Sequence, residues 1–287
     1  MTVDEALRRE AERLAEAGVP DAACQSELLL RHVVGWDRPA LLARGHETLP
    51  SWAQARFLAL VRERARRRPL QHLTGMQAFW RHEFVVSPDV LIPRPETEVL
   101  VEAALELLRG REAPVVVDVG TGSGCIALSL AAERPDATVH AVDVSPAALA
   151  VAVENARRLG LGSRVQFHEG DLLAPLAQIA RSLDLVVSNP PYVDPAELPS
   201  LEPEVRDHEP RAALLAADPP YGVYRRLAAQ AAGLLSEGGY LAVEVGRGMA
   251  SEVSAALAAA GVEPLQVQRD LQGIDRVVIA RIPLSRA

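Results

Sequence analysis

An asparagine, two prolines and a tyrosine, Asn189-Pro190-Pro191-Tyr192, directly follow the aliphatic run Leu183-Asp184-Leu185-Val186-Val187-Ser188. The run has the character of a buried strand that ends at Ser188. Proline has no N–H to give to a sheet, and each proline drives the residue before it towards an extended conformation. The outcome is a stiff turn holding an amide and an aromatic ring at a strand's C-terminal edge, where open α/β sheets place their chemistry. The Asn189 side chain offers an uncharged acceptor, and the Pro190 carbonyl is a second one close by. Two acceptors beside a ring suit a planar group bearing an NH2, an amide or a nucleobase. In an arbitrary loop Asn-Pro-Pro reads only as a chain breaker. Two further segments argue for more.

The first is Val115-Val116-Val117-Asp118-Val119-Gly120-Thr121-Gly122-Ser123-Gly124-Cys125-Ile126-Ala127, a β-branched run entering a glycine-rich turn ahead of an Ala/Leu-rich helical pattern. Glycines permit positive φ and let backbone N–H groups come close to a ligand. The spacing is G-x-G-x-G and not the G-x-G-x-x-G of the dinucleotide fingerprint. Alone, such a loop can simply join a strand to a helix. The second segment is Thr138-Val139-His140-Ala141-Val142-Asp143, a strand pattern ending in an acid. Asp143 stands about 20 residues beyond the glycine loop, the placement of an acid that bonds ribose hydroxyls. Ser145-Pro146 then reads as an N-cap with proline at the first helical position.

These residues need a scaffold to bring them together. Strand-like runs occur at about 115–119, 138–143, 164–168, 183–188, 239–245 and 275–282, with a weaker one near 262–269. Helical patterns at about 125–133, 146–159, 221–236 and 249–260 fill most of the gaps. Such alternation predicts an α/β fold with a doubly wound, largely parallel sheet. Right-handed crossovers put the second and third strands on one side of the first and the fourth on the other. The glycine loop and Asn-Pro-Pro-Tyr then flank one crevice at the switch point, where a nucleoside-type ligand and an NH2-bearing group can meet.

The chain resembles the HemK/PrmC family, the protein-(glutamine-N5) methyltransferases that modify peptide chain release factors. The resemblance rests on Leu91-Ile92-Pro93-Arg94-Pro95-Glu96-Thr97-Glu98, which matches the family's I-P-R-P-E-T-E signature. It is extended by Pro69-Leu70-Gln71-His72-Leu73-Thr74-Gly75, by Phe79-Trp80 and by Glu209-Pro210-Arg211-Ala212-Ala213-Leu214. It covers about residue 69 to the end; the first 68 residues match in length and helical character. It implies a Rossmann-like class I methyltransferase fold with seven strands, the last antiparallel, behind a small N-terminal helical bundle. Methyl transfer from S-adenosyl-L-methionine to the glutamine of a Gly-Gly-Gln motif is the implied activity. Gly120, Thr121, Gly122, Ser123 and Gly124 then carry the cofactor loop and Asp143 holds the ribose. Asn189, Pro190, Pro191 and Tyr192 hold the glutamine, with Asn189 also beside the cofactor. Where the family commonly has an aromatic residue near adenine, Gly170-Asp171 is followed by Leu172. Apolar packing replaces stacking there, and Asp171 is a candidate for the adenine amino group. Arg94 and Glu98 either brace the active site or pair with each other in the linker.

Under this reading a general base is dispensable. The proton on an amide nitrogen becomes far more acidic once methylation begins, and alignment by Asn189 Oδ1 and Pro190 O supplies the proximity effect. Asp218-Pro219-Pro220-Tyr221 resembles a second such motif. It follows an Ala/Leu stretch without β-branched character, so it reads as a loop and helix start.

Residues 1–68 read as a helical substrate-recognition domain, with helices opening at Thr2, spanning 22–34 and 39–43, and running from Ser51 to about Arg67. Residues 69–95 form a connector with room for a β-hairpin, and 96–287 the methyltransferase domain. A net charge of −8 argues against a broad phosphate-binding surface, so no stable nucleic-acid partner is expected. Arg62, Arg64, Arg66, Arg67 and Arg68 are a local exception, read as a solvated helix end or a contact for an acidic protein or RNA. No run is long and apolar enough to span a membrane, no signal-peptide pattern opens the chain, and Cys24 and Cys125 form no disulfide or metal spacing. A cytoplasmic monomer without metal is expected. The runner-up is a nucleic-acid amino-methyltransferase acting on a flipped base, since an exocyclic amine needs the same acceptor pair.

Overall fold

The computed structural model describes residues 1–178, 182–216 and 221–284. They divide into two compact units: Met1–Met76 with Leu201–His208, and Gln77–Ser200 with Glu209–Ala287.

The first unit is helical. It contains α1 (Val3–Glu16), α2 (Ala22–Val34), α3 (Arg38–Ala43), α4 (Ser51–Ala65) and α5 (Leu70–Thr74), joined from later in the chain by Pro203–His208 (α9 in chain order). Helix α1 starts at a full capping box, in which Thr2 and Glu5 each accept the other's backbone N–H. Its buried stripe is Val3, Ala6, Glu10 and Leu14, and the core adds Leu29, Leu30, Leu41, Phe57 and Val61. The Arg-rich end of α4 departs from a purely solvated helix end. The Arg64 side chain is only 3% exposed, and Arg64 and Arg67 both close on the Glu204 carboxylate of α9 at 2.6 Å. Burial opposes ionisation of Glu204, yet hydrogen bonds from Arg67 and Arg64 outweigh it and hold the carboxyl down at about 2.

The second unit opens with a hairpin, β1 (Met76–Phe79) and β2 (His82–Val85), whose first residue still groups with the helices. Next come α6 (Glu98–Leu107), β3 (Val115–Val119), α7 (Cys125–Glu133), β4 (Thr138–Asp143), α8 (Pro146–Arg158), β5 (Val165–Glu169) and β6 (Leu183–Ser188). After α9 follow α10 (Arg211–Leu214), α11 (Gly222–Leu234), β7 (Leu235–Glu244), α12 (Ala250–Ala259), β8 (Glu263–Arg269) and β9 (Asp275–Arg281). The seven-stranded sheet has the order β5-β4-β3-β6-β7-β9-β8. Its strands are parallel except that β9 runs antiparallel to both neighbours. Its central strands are buried on both faces, Val116, Val117, Leu185, Val186, Val187 and Ala242 being fully covered, as a sheet packed by helices on both sides requires. This is the Rossmann-like α/β sheet the alternating pattern predicts.

Three local features differ from the sequence reading. Helix α6 lies outside the expected helices. Strand β7 begins at Leu235, where the helical pattern was expected to persist to 236. Its first residues pair at Leu183↔Leu235, and the register then shifts before Leu185↔Tyr240. The Ser-Glu-Gly-Gly stretch between is therefore an irregularity carried inside the strand, with Ser236 Oγ donating to Leu183 O at 3.0 Å. Third, Arg211–Leu214, for which no element was expected, make one helical turn. The Asp218-Pro219-Pro220 turn lies outside the described residues; Tyr221 stands directly before α11.

Candidate active site

The strand order switches direction between β3 and β6, which run parallel side by side with Val119 opposite Ser188. Ser188, 1% exposed, ties the two strand ends together by donating its hydroxyl to Val119 O at 2.8 Å. Beyond this join lies a cavity of about 420 Å³, within the ordinary range of small-molecule sites, about 300–1,000 Å³. Its walls come from the glycine loop (Gly120, Gly122), the end of β4 (Asp143), the turn after β5 (Asp171, Leu172) and the turn after β6 (Asn189, Pro190, Pro191). Val90, Leu91 and Ala213 add apolar surface.

The glycine loop is built for close approach. Gly120 has φ +73 and donates to Val142 O at 2.8 Å, which turns the chain sharply out of β3. Gly124, φ +81, begins α7 where an added Cβ would lie 3.1 Å from the Cβ of Ala152, so only glycine lets helix and loop pack. Beneath them Asp118, fully buried, accepts from Thr121 Oγ1 at 2.7 Å and from Ala127 N at 3.1 Å. Burial pushes its carboxyl up to about 7 against the opposing pull of the Thr121 hydroxyl. Thr121, part of this brace, and Ser123 are both buried, and neither they nor Gly124 line the cavity.

Asp143 bridges two backbones. Its Oδ2 accepts from Gly122 N at 2.8 Å and its Oδ1 from Ser145 N at 2.9 Å. The acid at the end of β4 is thereby fixed at the cavity wall with lone pairs left for a hydroxyl-bearing ligand. After the neighbouring strand β5, Asp171 pairs with Arg226 of α11, a partner that nothing in the local sequence announces. Leu172 lines the cavity from a backbone with φ +52, uncommon for a leucine, and packs on the apolar cluster under the sheet.

At the acceptor end, Asn189 donates Nδ2–H to Thr97 Oγ1 at 3.2 Å, and its Oδ1 takes no hydrogen bond from the described residues. The Thr97 hydroxyl also lies beside the carboxyl of Glu244, the last residue of β7, and pulls it down against the larger upward push of burial. Tyr192 is not among the lining residues. It packs beside Gly246, where an added Cβ would meet its ring at 3.1 Å, and burial pushes its phenol up to about 12. Arg94 does not pair with Glu98. It closes on Glu209, while Glu98 accepts from the backbone N–H of Trp80 at 2.8 Å and so secures the hairpin turn. The structure thus brings together Gly120, Gly122, Asp143, Asp171, Leu172, Asn189, Pro190 and Pro191, and sets Glu98 to holding Trp80. Asp118, Thr97, Glu244 and Arg226 escape the sequence reading. Asp118 alone leaves a trace there, as the acid inside a β-branched run.

Two family models match the chain: the PrmC N-terminal domain over residues 5–75 and the methyltransferase small domain over residues 95–200. A release factor glutamine methyltransferase of Moorella thermoacetica is 47% identical over 98% of both chains. One of Cereibacter sphaeroides is 42% identical over 99% of this chain and all of that one. The chain belongs to the release factor glutamine methyltransferase family. Among solved structures, a release factor-specific protein-(glutamine-N5) methyltransferase from Alicyclobacillus acidocaldarius is 35% identical, covering 70% of this chain and 99% of that one at a TM-score of 0.44. Family membership gives the cavity a ligand to be tested against, S-adenosylmethionine. The site fits it: a glycine turn free of side chains, a fixed acid for hydroxyls, and an apolar wall for a base. No helix among the described residues is long and apolar enough to cross a membrane.

Proposed function

We propose that this protein methylates the side-chain nitrogen N5 of the glutamine in the Gly-Gly-Gln motif of peptide chain release factors, acting in the cytoplasm as a monomer. Gly120 and Gly122 would hold the methionine part of S-adenosylmethionine, Asp143 the ribose, and Leu172 with Asp171 the adenine. Bound there, it supplies a methyl group already activated by its sulfonium. The protein's task is to position the weakest partner, an amide nitrogen whose lone pair is delocalised into its carbonyl. Asn189 Oδ1 and Pro190 O each accept one of the two N–H bonds, which fixes the nitrogen in line and favours its rehybridisation. Proximity of this kind is worth up to about 7–11 kcal/mol in well-oriented systems. Pro190 and Pro191 keep the acceptors stiff, since neither backbone can relax into the sheet. Tyr192 acts from behind, filling the space against Gly246 that would otherwise let the turn shift.

The observation that carries this reading is the orientation of Asn189 at the cavity rim, amide nitrogen turned to Thr97 and carbonyl oxygen left for a donor. The test is methyl incorporation from labelled S-adenosylmethionine into folded release factor and its Gln→Asn variant, with duplex DNA and ribosomal RNA as parallel acceptors. Labelling of the factor alone, lost in the variant, is expected. Strong labelling of either nucleic acid with none of the factor would sink the reading in favour of a base amino-methyltransferase.

A further inference from the structure

Asn189 can serve as an acceptor only if its amide is held the right way round. An amide flipped by half a turn presents NH2 to the incoming NH2, donor against donor, and the site fails with no change of shape. Something must therefore fix the flip. The structure brings together three side chains from three separate elements: Asn189 after β6, bonded to Thr97 immediately before α6, and Glu244 at the end of β7, whose carboxyl feels the Thr97 hydroxyl. Strands β6 and β7 are neighbours, with Ser188 opposite Val243, so the two ends of this trio are set by sheet register. Thr97 and Glu244 are each 2% exposed.

We propose that Thr97 and Glu244 are positioning residues that lock the amide orientation of Asn189. This inference rests on the acceptor role given to Asn189 above. A carboxylate has no proton and can only accept, so the single hydroxyl proton of Thr97 goes to Glu244. Thr97 Oγ1 is then left with lone pairs alone and can only accept, which obliges Asn189 to turn Nδ2 towards it. The direction of the whole chain is set by the charge on Glu244. If Glu244 takes up a proton, it becomes a donor, the Thr97 proton is released, and Asn189 can be bonded in either orientation.

Glu244 is placed to titrate. Its second oxygen, Oε2, is buried with no hydrogen-bond partner. Burial is the largest influence and pushes the carboxyl up to about 7. The Thr97 hydroxyl, Arg276 of β9 and Arg94 pull it down, and Glu96 pushes it up. The other ionisable groups facing it are Tyr192, Tyr224 of α11 and Cys125 at the start of α7. All three are raised by burial and stay neutral through the pH range of interest. Arg276 is itself committed to Asp270 at 2.7 Å, and Arg94 to Glu209. The nearby cations therefore only partly offset the burial of Glu244.

The experiment compares the wild type with Thr97→Val, Thr97→Ser, Glu244→Gln and Asn189→Ala. It measures methylation of folded release factor at saturating cofactor from pH 5.5 to 9, and S-adenosylhomocysteine affinity by calorimetry. Wild-type kcat is expected to fall below a limb near pH 7, and that limb to vanish in Glu244→Gln. Thr97→Val should lose about 10–100-fold in kcat with cofactor affinity unchanged, and Thr97→Ser should restore it. Independently of turnover, carbon NMR of 13C-labelled Glu should show one carboxyl titrating near 7, absent in Glu244→Gln and moved upward in Thr97→Val. A Thr97→Val enzyme with wild-type kcat, a limb that persists in Glu244→Gln, or a Glu244 resonance indifferent to Thr97 would each overturn the relay. Full turnover in Asn189→Ala would overturn the acceptor reading beneath it. An inactive Asn189→Ala beside a fully active Thr97→Val would remove the relay alone.

Discussion

Arg94 and Glu209, 115 residues apart in the chain, form an ion pair whose carboxylate side is only 1% exposed. The same carboxylate accepts from the backbone N–H of Ile92, so one buried acid gathers the two segments that flank the cavity. Burial drives the Glu209 carboxyl upward and the Arg94 guanidinium opposes this. Removing one member of a buried pair strands the other, which costs about 3 kcal/mol or more. Arg94→Ala is therefore expected to lower the melting temperature by roughly 6–12 °C. Arg94→Ala with Glu209→Ala together should recover part of the loss, as calorimetric scanning of the three proteins would show; equal melting temperatures in all would mean the pair contributes nothing.

Asp143→Ala should weaken S-adenosylhomocysteine binding at least tenfold in titration calorimetry. It removes the acid expected at the ribose and also the brace on Gly122 N and Ser145 N. Asp143→Asn keeps one acceptor for the loop while losing the charge, so it should fall between alanine and wild type. Unchanged affinity in both variants would remove Asp143 from the cofactor site.

Asp118 makes stability depend on pH. Its carboxyl is raised in the folded state to about 7 from an unfolded value near 4. Between these values the native state holds more protons than the unfolded chain, so the contribution of Asp118 to stability is greatest below about pH 4 and declines until about pH 7. Asp118→Asn retains an oxygen for Thr121 and Ala127 but cannot ionise. Denaturant unfolding at pH 5 and pH 8 should show a smaller loss for Asp118→Asn than for wild type; equal losses would mean that Asp118 titrates normally.

Glu204 behaves oppositely. With its carboxyl held down at about 2, the stability it confers is present above about pH 4.5 and is lost as pH falls towards 2. Glu204→Ala leaves Arg64 buried without its carboxylate and should destabilise the helical unit at neutral pH. Because Glu204 lies outside the cavity wall, S-adenosylhomocysteine affinity should be unchanged while methylation of whole release factor drops. A proportional loss of both would show that the damage is general unfolding.

The scaffold was legible because its signals are local. The β-branched runs, the Ser145 cap and the glycine turn each declare themselves within a dozen residues, and the alternation of strand and helix then leaves few topologies open. The residues that turned out hardest to read act at long range. Thr97 reaches Asn189 across 92 positions and Asp171 reaches Arg226 across 55, and no periodicity encodes such meetings. Glu98 looked like part of the site because it stands beside Arg94 in one conspicuous motif. Two charges close in sequence can nevertheless serve different masters: Arg94, ahead of α6, meets Glu209, while Glu98, the first residue of α6, meets Trp80. β7 was misread at its start because two glycines normally end an element, and here Gly239 instead lets Leu183 O approach to where a Cβ would sit at 2.8 Å.

The grouping of Leu201–His208 with the N-terminal helices has a consequence for synthesis. Five helices of that unit leave the ribosome first, but Glu204 follows Arg67 by 137 residues. At about 5–20 residues per second the interval is roughly 7–27 s. Throughout it Arg64 and Arg67 have no Glu204 to meet, and the nascent helical unit must keep that end of α4 solvated. The last helix of the first unit is made only after β6 and Asn189 have been translated. The N-terminal unit therefore lacks its last helix until the chain has been made through His208, with β3 to β6 already synthesised.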